Sequence, residues 1–183
     1  MAGIDETIEF HPLNIAILTV SDTRTMETDK SGATLQARAE AAGHKVVART
    51  ILADDYDGLV SQLETWVADN TIEVVLTTGG TGVTGRDVTP EAVEQVGEKH
   101  IPGFGELFRW ISYQLISTST IQSRATAVVA KGTYIFALPG STGACKDAWD
   151  GILRDQLDIR HRPCNFAELI PRLQEDGSGG HHH

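Results

Sequence analysis

At 183 residues, 40% of them hydrophobic, the chain has material for one domain with a sizeable core, and no apolar run reaches the length of a membrane span. Its 15 basic and 25 acidic residues leave a formal net charge of −10, which disfavours sequence-independent binding to nucleic acid or to an anionic membrane, so a phosphate would have to be met locally. Cys145 and Cys164 are too widely spaced for a structural zinc motif or a disulfide framework, and they imply a reducing, cytoplasmic setting.

Residues 1–12 hold few apolar groups, lack the basic and apolar regions of a signal peptide, and read as a loose N-terminal arm with a candidate role in packing between subunits. The run Ile15-Ala16-Ile17-Leu18-Thr19-Val20 predicts a strand covered on both faces. It empties into the polar Ser21-Asp22-Thr23-Arg24-Thr25. A helix follows, with Ser31 as its cap, Leu35, Ala39 and Ala42 at helical spacing, Gly43 as its stop and His44 as a further cap residue. A second strand over residues 45–52 leads to Asp54. Leu59, Leu63, Trp66 and Val67 then mark the apolar face of a helix with Asp57 as its N-cap.

Residues 73–78 form the third strand, a glycine-rich loop follows, and Pro90 at a first helical position starts a helix to about residue 98. From Gly103 a longer helix carries Phe104, Leu107, Phe108, Ile111 and Leu115 on one side, with Ser112 and residues 117–120 at or beyond its end. Residues 125–130 and 133–138 are strand-like runs parted only by Lys131-Gly132, which is hairpin spacing. Pro139-Gly140-Ser141 ends the last strand, and Ser141 caps a helix containing Ala144, Ala148, Trp149, Ile152 and Leu153. Asn165-Phe166-Ala167-Glu168 fits a capping box for a short final helix.

This alternation predicts an α/β fold: a three-layer α/β/α sandwich with a mostly parallel sheet and an antiparallel edge hairpin. Residues 13–174 make a single domain. Residues 175–183 are a tail ending in an expression tag, whose histidines carry no metal argument; His11, His44, His100 and His161 have no ligand spacing either.

Ligands of such sheets bind outside the carboxyl ends of the strands, which gathers Ser21-Asp22, Asp54, the loop from Thr78 to Asp87, and Pro139-Gly140-Ser141 on one rim. Four glycines, Gly79, Gly80, Gly82 and Gly85, remove side chains that would keep a ligand from the backbone and let successive amides turn toward an anion. A carboxylate beside that anion, Asp87, is repulsive unless a cation intervenes. Asp54 and Asp87 are therefore candidate Mg²⁺ ligands facing a phosphate held by Thr78, Gly79, Gly80, Thr81 and Gly82. The bland alternatives are solvated loop acids and glycines that only turn the chain. Arg124, with Ser123 before a strand, either faces a phosphate or is surface charge. Residues 80–85 match the dinucleotide pattern GxGxxG to the letter, which suggests an NAD(P)-dependent oxidoreductase, but the helix signal waits until Thr89-Pro90 and the reading is discounted.

Residues 15–21 with Asp29-Lys30-Ser31-Gly32, Leu76 to Gly82, Arg86-Asp87-Val88-Thr89-Pro90-Glu91, Pro102-Gly103-Phe104-Gly105-Glu106, Ser123-Arg124-Ala125 and Leu138-Pro139-Gly140-Ser141 together resemble the MoaB/MogA family of molybdenum cofactor biosynthesis proteins. The likeness is to the MoaB branch, through Pro139-Gly140-Ser141-Thr142 and Arg162-Pro163-Cys164-Asn165-Phe166. The resemblance implies a molybdopterin-binding-like fold and a molybdopterin adenylyltransferase that uses ATP, Mg²⁺ and molybdopterin. It also implies assembly into trimers or hexamers and association with other proteins of the pathway. It implies Asp54 and Asp87 as the functional aspartates, residues 79–82 as the nucleotide loop, and Ser112, Ser123, Pro139, Gly140 and Ser141 as pterin or nucleotide contacts. Ala137 departs from the asparagine of the MogA branch, which favours an alternative: an oligomeric protein that binds or carries molybdopterin without adenylylating it.

Overall fold

The computed structural model describes residues 2–175; the predicted tag lies outside the described residues. The first half runs β1 (Gly3–Ile4), β2 (Asn14–Val20), α1 (Lys30–Ala41), β3 (Lys45–Leu52), α2 (Tyr56–Ala68), β4 (Val74–Thr78) and α3 (Thr89–Val96). The second half runs β5 (Lys99–His100), α4 (Pro102–Ile116), β6 (Thr126–Ala130), β7 (Thr133–Leu138), α5 (Thr142–Ala148), α6 (Arg154–Gln156) and β8 (His161–Arg162). A 3₁₀ turn, Ser117–Gln122, continues α4; a π-helical turn, Trp149–Leu153, joins α5 to α6; and the closing helix, Ala167–Arg172, is 3₁₀.

The main sheet has the order β3-β2-β4-β7-β6-β5. β2 is parallel to both β3 and β4, and β4 is parallel to β7. β6 returns antiparallel to β7, as the two-residue hairpin spacing predicts. The outermost strand was not expected: Lys99 and His100 pair with Val129 and Val128, and two exposed residues carry no alternating pattern that would announce a strand.

Alternation along β2 divides the core between two faces. Ile15 and Ile17 point to the layer of α1, α4 and α5, where Leu35, Phe104, Phe108, Phe136 and Trp149 are buried. Ala16 and Leu18 point to the layer of α2 and α3, against Leu59, Leu63, Trp66 and Val93. Each large apolar side chain so buried stabilises the fold by about 1.5–3 kcal/mol before entropy is counted. The three layers are those the sequence predicts.

Several local details differ. The N-cap of α1 is Asp29, which accepts from the Gly32 amide at 2.9 Å, while Ser31 lies in the first turn and donates its hydroxyl to the Gly140 carbonyl at 3.0 Å. The N-cap of α2 is Asp55, accepting from the Gly58 amide at 2.8 Å, with Asp57 inside the first turn. Ser141 caps α5 and Asn165 exchanges bonds with Glu168, both as predicted. The N-terminal arm is less loose than its composition suggests. β1 pairs with β8, the Leu13 amide donates to His44 Nδ1 at 3.1 Å, and Phe10 packs on the His44 ring. The His44 imidazole is buried, and burial pushes its pKa down to about 4, so it serves as a neutral acceptor while its amide closes α1 onto Ala39.

Candidate functional site

β2 is flanked by β3 on one side and β4 on the other, so the strand order reverses beside it and a crevice opens at the strands' carboxyl ends. A cavity of about 670 Å³ occupies that place. Every site residue expected from the sequence lines it except Arg124: Ser21, Asp22, Asp54, Thr78, Gly79, Gly80, Thr81, Gly82, Asp87, Ser112, Ser123, Pro139, Gly140 and Ser141.

Its floor is backbone. Gly79 has φ +106°, and a Cβ there would stand 2.2 Å from the Val20 carbonyl oxygen; Gly80 has φ +66° and a Cβ would meet Thr89 Oγ1 at 2.3 Å. A Cβ on Gly140 would stand 3.1 Å from the Gly79 Cα, so the turns after β4 and β7 touch main chain to main chain. Among the described residues no protein acceptor meets the amides of Gly80 and Thr81. Unpaired amides beside positive-φ glycines suit an anion.

Several of the expected hydroxyls are already engaged, though those of Ser21 and Ser141 only accept and keep an O–H to donate. Thr78 is fully buried and spends its hydroxyl on the Pro139 carbonyl at 2.9 Å, with Cys145 Sγ at 3.2 Å. The Ser141 hydroxyl accepts from the Ala144 amide at 3.1 Å, and Ser21 Oγ accepts from the amides of Thr23 and Arg24, both at 3.2 Å. These three hydroxyls shape the rim.

The two aspartates stand over residues 80–82. Asp87 Oδ2 lies 2.7 Å from a Cβ position on Gly82, and Asp54 Oδ1 lies 3.1 Å from one on Gly80. Burial acts to raise Asp87, but hydrogen bonds from the hydroxyl and amide of Thr84, at 2.7 and 2.9 Å, outweigh it and hold the carboxyl below its usual range. Asp54 is raised, first by burial and then by the charge of Asp22, with a smaller contribution from Asp87 and an opposing one from Arg86. Asp22 itself pairs with Arg86 and accepts the Asp54 amide at 3.1 Å.

This donor set fits Mg²⁺ only in part. Among the described residues no group of three or more His, Cys, Asp or Glu could hold a metal ion alone. Mg²⁺ is, however, commonly held by one or two carboxylates with substrate phosphates completing the shell, and two acids beside a phosphate cradle meet that requirement.

Arg124 turns away from the cavity. Its Nε and Nη2 donate to the carbonyls of Gly82 and Asp87, both at 2.6 Å, its Nη1 pairs with Glu91, and its amide donates to Thr81 O at 2.9 Å. It staples the glycine loop from behind, a third possibility beside the two open in the sequence. Ala137 is fully buried in the layer of α2 and α3 and does not line the cavity. Sequence reasoning missed Phe108, Ile116, Thr120 and Arg24, all of which line it. Phe108 and Ile116 lie four residues on either side of Ser112 and so share its helix face, a spacing that could have found them. Arg24 has no local signal, because its partner Gly140 is remote in sequence.

A family profile described as a probable molybdopterin binding domain matches residues 16–159. Molybdenum cofactor biosynthesis protein B of Escherichia coli K12 is 50% identical over 158 residues, covering 86% of this chain and 93% of that protein. A crystal structure of a molybdenum cofactor biosynthesis protein B is 38% identical with a TM-score of 0.82, over 91% of this chain and 98% of that one. The tungsten cofactor synthesizing protein MoaB from Pyrococcus furiosus is 28% identical with a TM-score of 0.74, over 90% and 98% of the two chains. With the profile spanning most of the domain and a relative at half identity along nearly its whole length, the chain belongs to the MoaB/MogA family of molybdenum cofactor biosynthesis proteins, on its MoaB side.

Proposed function

We propose that this protein acts in molybdenum cofactor biosynthesis as a molybdopterin adenylyltransferase. In that reaction an oxygen of the molybdopterin phosphate forms a bond to the α-phosphorus of ATP, the bond from that phosphorus to the β-bridging oxygen breaks, and pyrophosphate leaves. The observation that carries the reading is the placement of Asp54 and Asp87 over the same three-residue segment of a glycine floor, within one cavity large enough for a nucleotide-sized ligand. The free amides of Gly80 and Thr81 would receive a phosphate group. Asp54 and Asp87 would hold Mg²⁺ together with the nucleotide, and the ion would supply charge neutralisation at the phosphates. No nucleophilic side chain is needed, since phosphoryl-type transfer depends on positioning and electrostatics.

Pyrophosphate release from ATP, molybdopterin and Mg²⁺ tests this reading. Stoichiometric binding of molybdopterin without release would leave the carrier alternative in its place. That alternative drew on Ala137, which has no part in the cavity lining, and so it is not adopted here.

The exposed face of α4 and the turn after it bears on assembly. Trp110 is 65% exposed, with Leu107 and Tyr113 three residues to either side of it, and Ile121 in the turn that follows is 81% exposed, apolar groups suited to contact between copies. We assign to it a homo-oligomer, trimer or hexamer. Light scattering would read the copy number, and a monomer at micromolar concentration would dismiss the assignment.

A further inference from the structure

We propose that Arg24 is the side chain that binds a ligand phosphate in this cleft, a role that rests on the reading of the cavity as a site for phosphate-bearing ligands. Among the residues lining the cavity it is the one cation, set against the carboxylates of Asp22, Asp54 and Asp87. A phosphate entering that acidic rim is favoured by a fixed positive charge in addition to backbone amides and any bound cation.

The guanidinium is preset. Its Nη1 donates to Ser31 Oγ at 3.0 Å and its Nη2 to the Gly140 carbonyl at 3.2 Å, which places it beside the main-chain contact between Gly140 and Gly79. Ser31 donates to that same carbonyl, so its hydroxyl bridges the arginine to the floor. An arginine has five N–H donors, and among the described residues only these two find a hydrogen-bond acceptor. Its side chain remains 35% exposed, so part of the guanidinium is open to a ligand.

A role in charge balance alone does not account for it. The nearest acid, Asp29, is 3.8 Å away, fully buried, and already neutralised by Arg49 at 3.0 Å with further bonds from Thr19 and the Gly32 amide. Tying Gly140 to Ser31 would need two neutral donors. Arginine in that position adds a charge that neither task uses, together with further N–H donors on the same planar group, and a guanidinium so held is suited to a phosphate.

Two ligands could supply the phosphate, the nucleotide and the pterin. Binding calorimetry on the full chain would compare ATP with adenosine in the presence of Mg²⁺, and molybdopterin with its dephosphorylated form. Arg24→Gln is expected to weaken one phosphate-bearing ligand by about ten- to a hundredfold while leaving its phosphate-free counterpart unchanged, and the affected pair identifies the source. Arg24→Lys, which keeps the charge but not the fork, is expected to recover part of that loss. Three results would overturn the assignment: an unchanged preference for phosphate in Arg24→Gln, an equal loss for both members of each pair, or a lysine variant no better than glutamine. A wild-type protein that shows no preference for phosphate in either pair would overturn the reading of the cavity as well, and so is distinguishable from failure of Arg24 alone.

Discussion

Asp54 and Asp87 flank the same short piece of glycine floor, and the chain holds them in opposite ways. Asp87 is gripped by its own loop, with the amide and hydroxyl of Thr84 on one oxygen and its backbone carbonyl pinned by Arg124. Its pKa is depressed by those bonds in spite of burial. The Asp54 carboxylate accepts no side-chain hydrogen bond among the described residues, and burial with the neighbouring charge of Asp22 raises it. One acid is fixed and ionised before anything binds. The other has no hydrogen-bonded partner for its carboxylate, and an arriving cation would favour its ionised form. The contrast separates two tasks, a preset anchor and a group answering to the ligand.

The largest test of this contrast removes the charge of the fixed acid. Asp87→Asn keeps an oxygen for the Thr84 bonds, so the loop survives, and turnover measured by pyrophosphate release is expected to fall about 10²-fold or more. Release at the wild-type rate would take Asp87 out of the mechanism. A smaller effect comes from displacing the acid without altering it. In Gly82→Ala the new methyl would stand 2.7 Å from Asp87 Oδ2, and the carboxylate has to move. About a tenfold loss of turnover is expected, from misplacement alone; an unaltered rate would show that the position of Asp87 is not critical.

The smallest effect concerns the other acid. Asp54 works ionised, so as pH falls through its raised pKa the acid limb of kcat/KM should follow Asp54, while Asp87 stays ionised to lower pH. Asp22→Asn removes a charge that raises Asp54 and releases Arg86, which lowers it. Both changes shift the acid limb toward lower pH. A limb that stays in place in a pH profile would assign it to a different group.

The five longer strands of the main sheet and the glycine floor were legible in the sequence because apolar, β-branched runs and closely spaced glycines carry their own local meaning. Ser141 and the Asn165–Glu168 pair were legible as caps for the same reason. The cap of α1 was not. Asp29 and Ser31 are both good N-cap types, and the decision is tertiary: Asp29 is drawn inward by Thr19 at 2.7 Å and by Arg49, while Ser31 is drawn to Gly140. The direction of Arg124 was equally closed to sequence reading, because its acceptors are backbone carbonyls that any residue type could provide. Asp54 and Asp87 were found as strand-end acids, yet the opposite directions of their pKa shifts depend on burial, Asp22 and Thr84, whose roles appear only once the loops are folded together.

The contact between Gly140 and Gly79 has a consequence for what the cleft can come to accept. Two turns that meet main chain to main chain leave no side chain to trim or enlarge at the bottom of the cavity, and even one methyl at Gly79 would strike the Val20 carbonyl. The floor is therefore a fixed datum from which depth is set. Any change in ligand preference has to be written on the walls, in the first loop with Arg24 and on the α4 face with Phe108, Ser112 and Ile116.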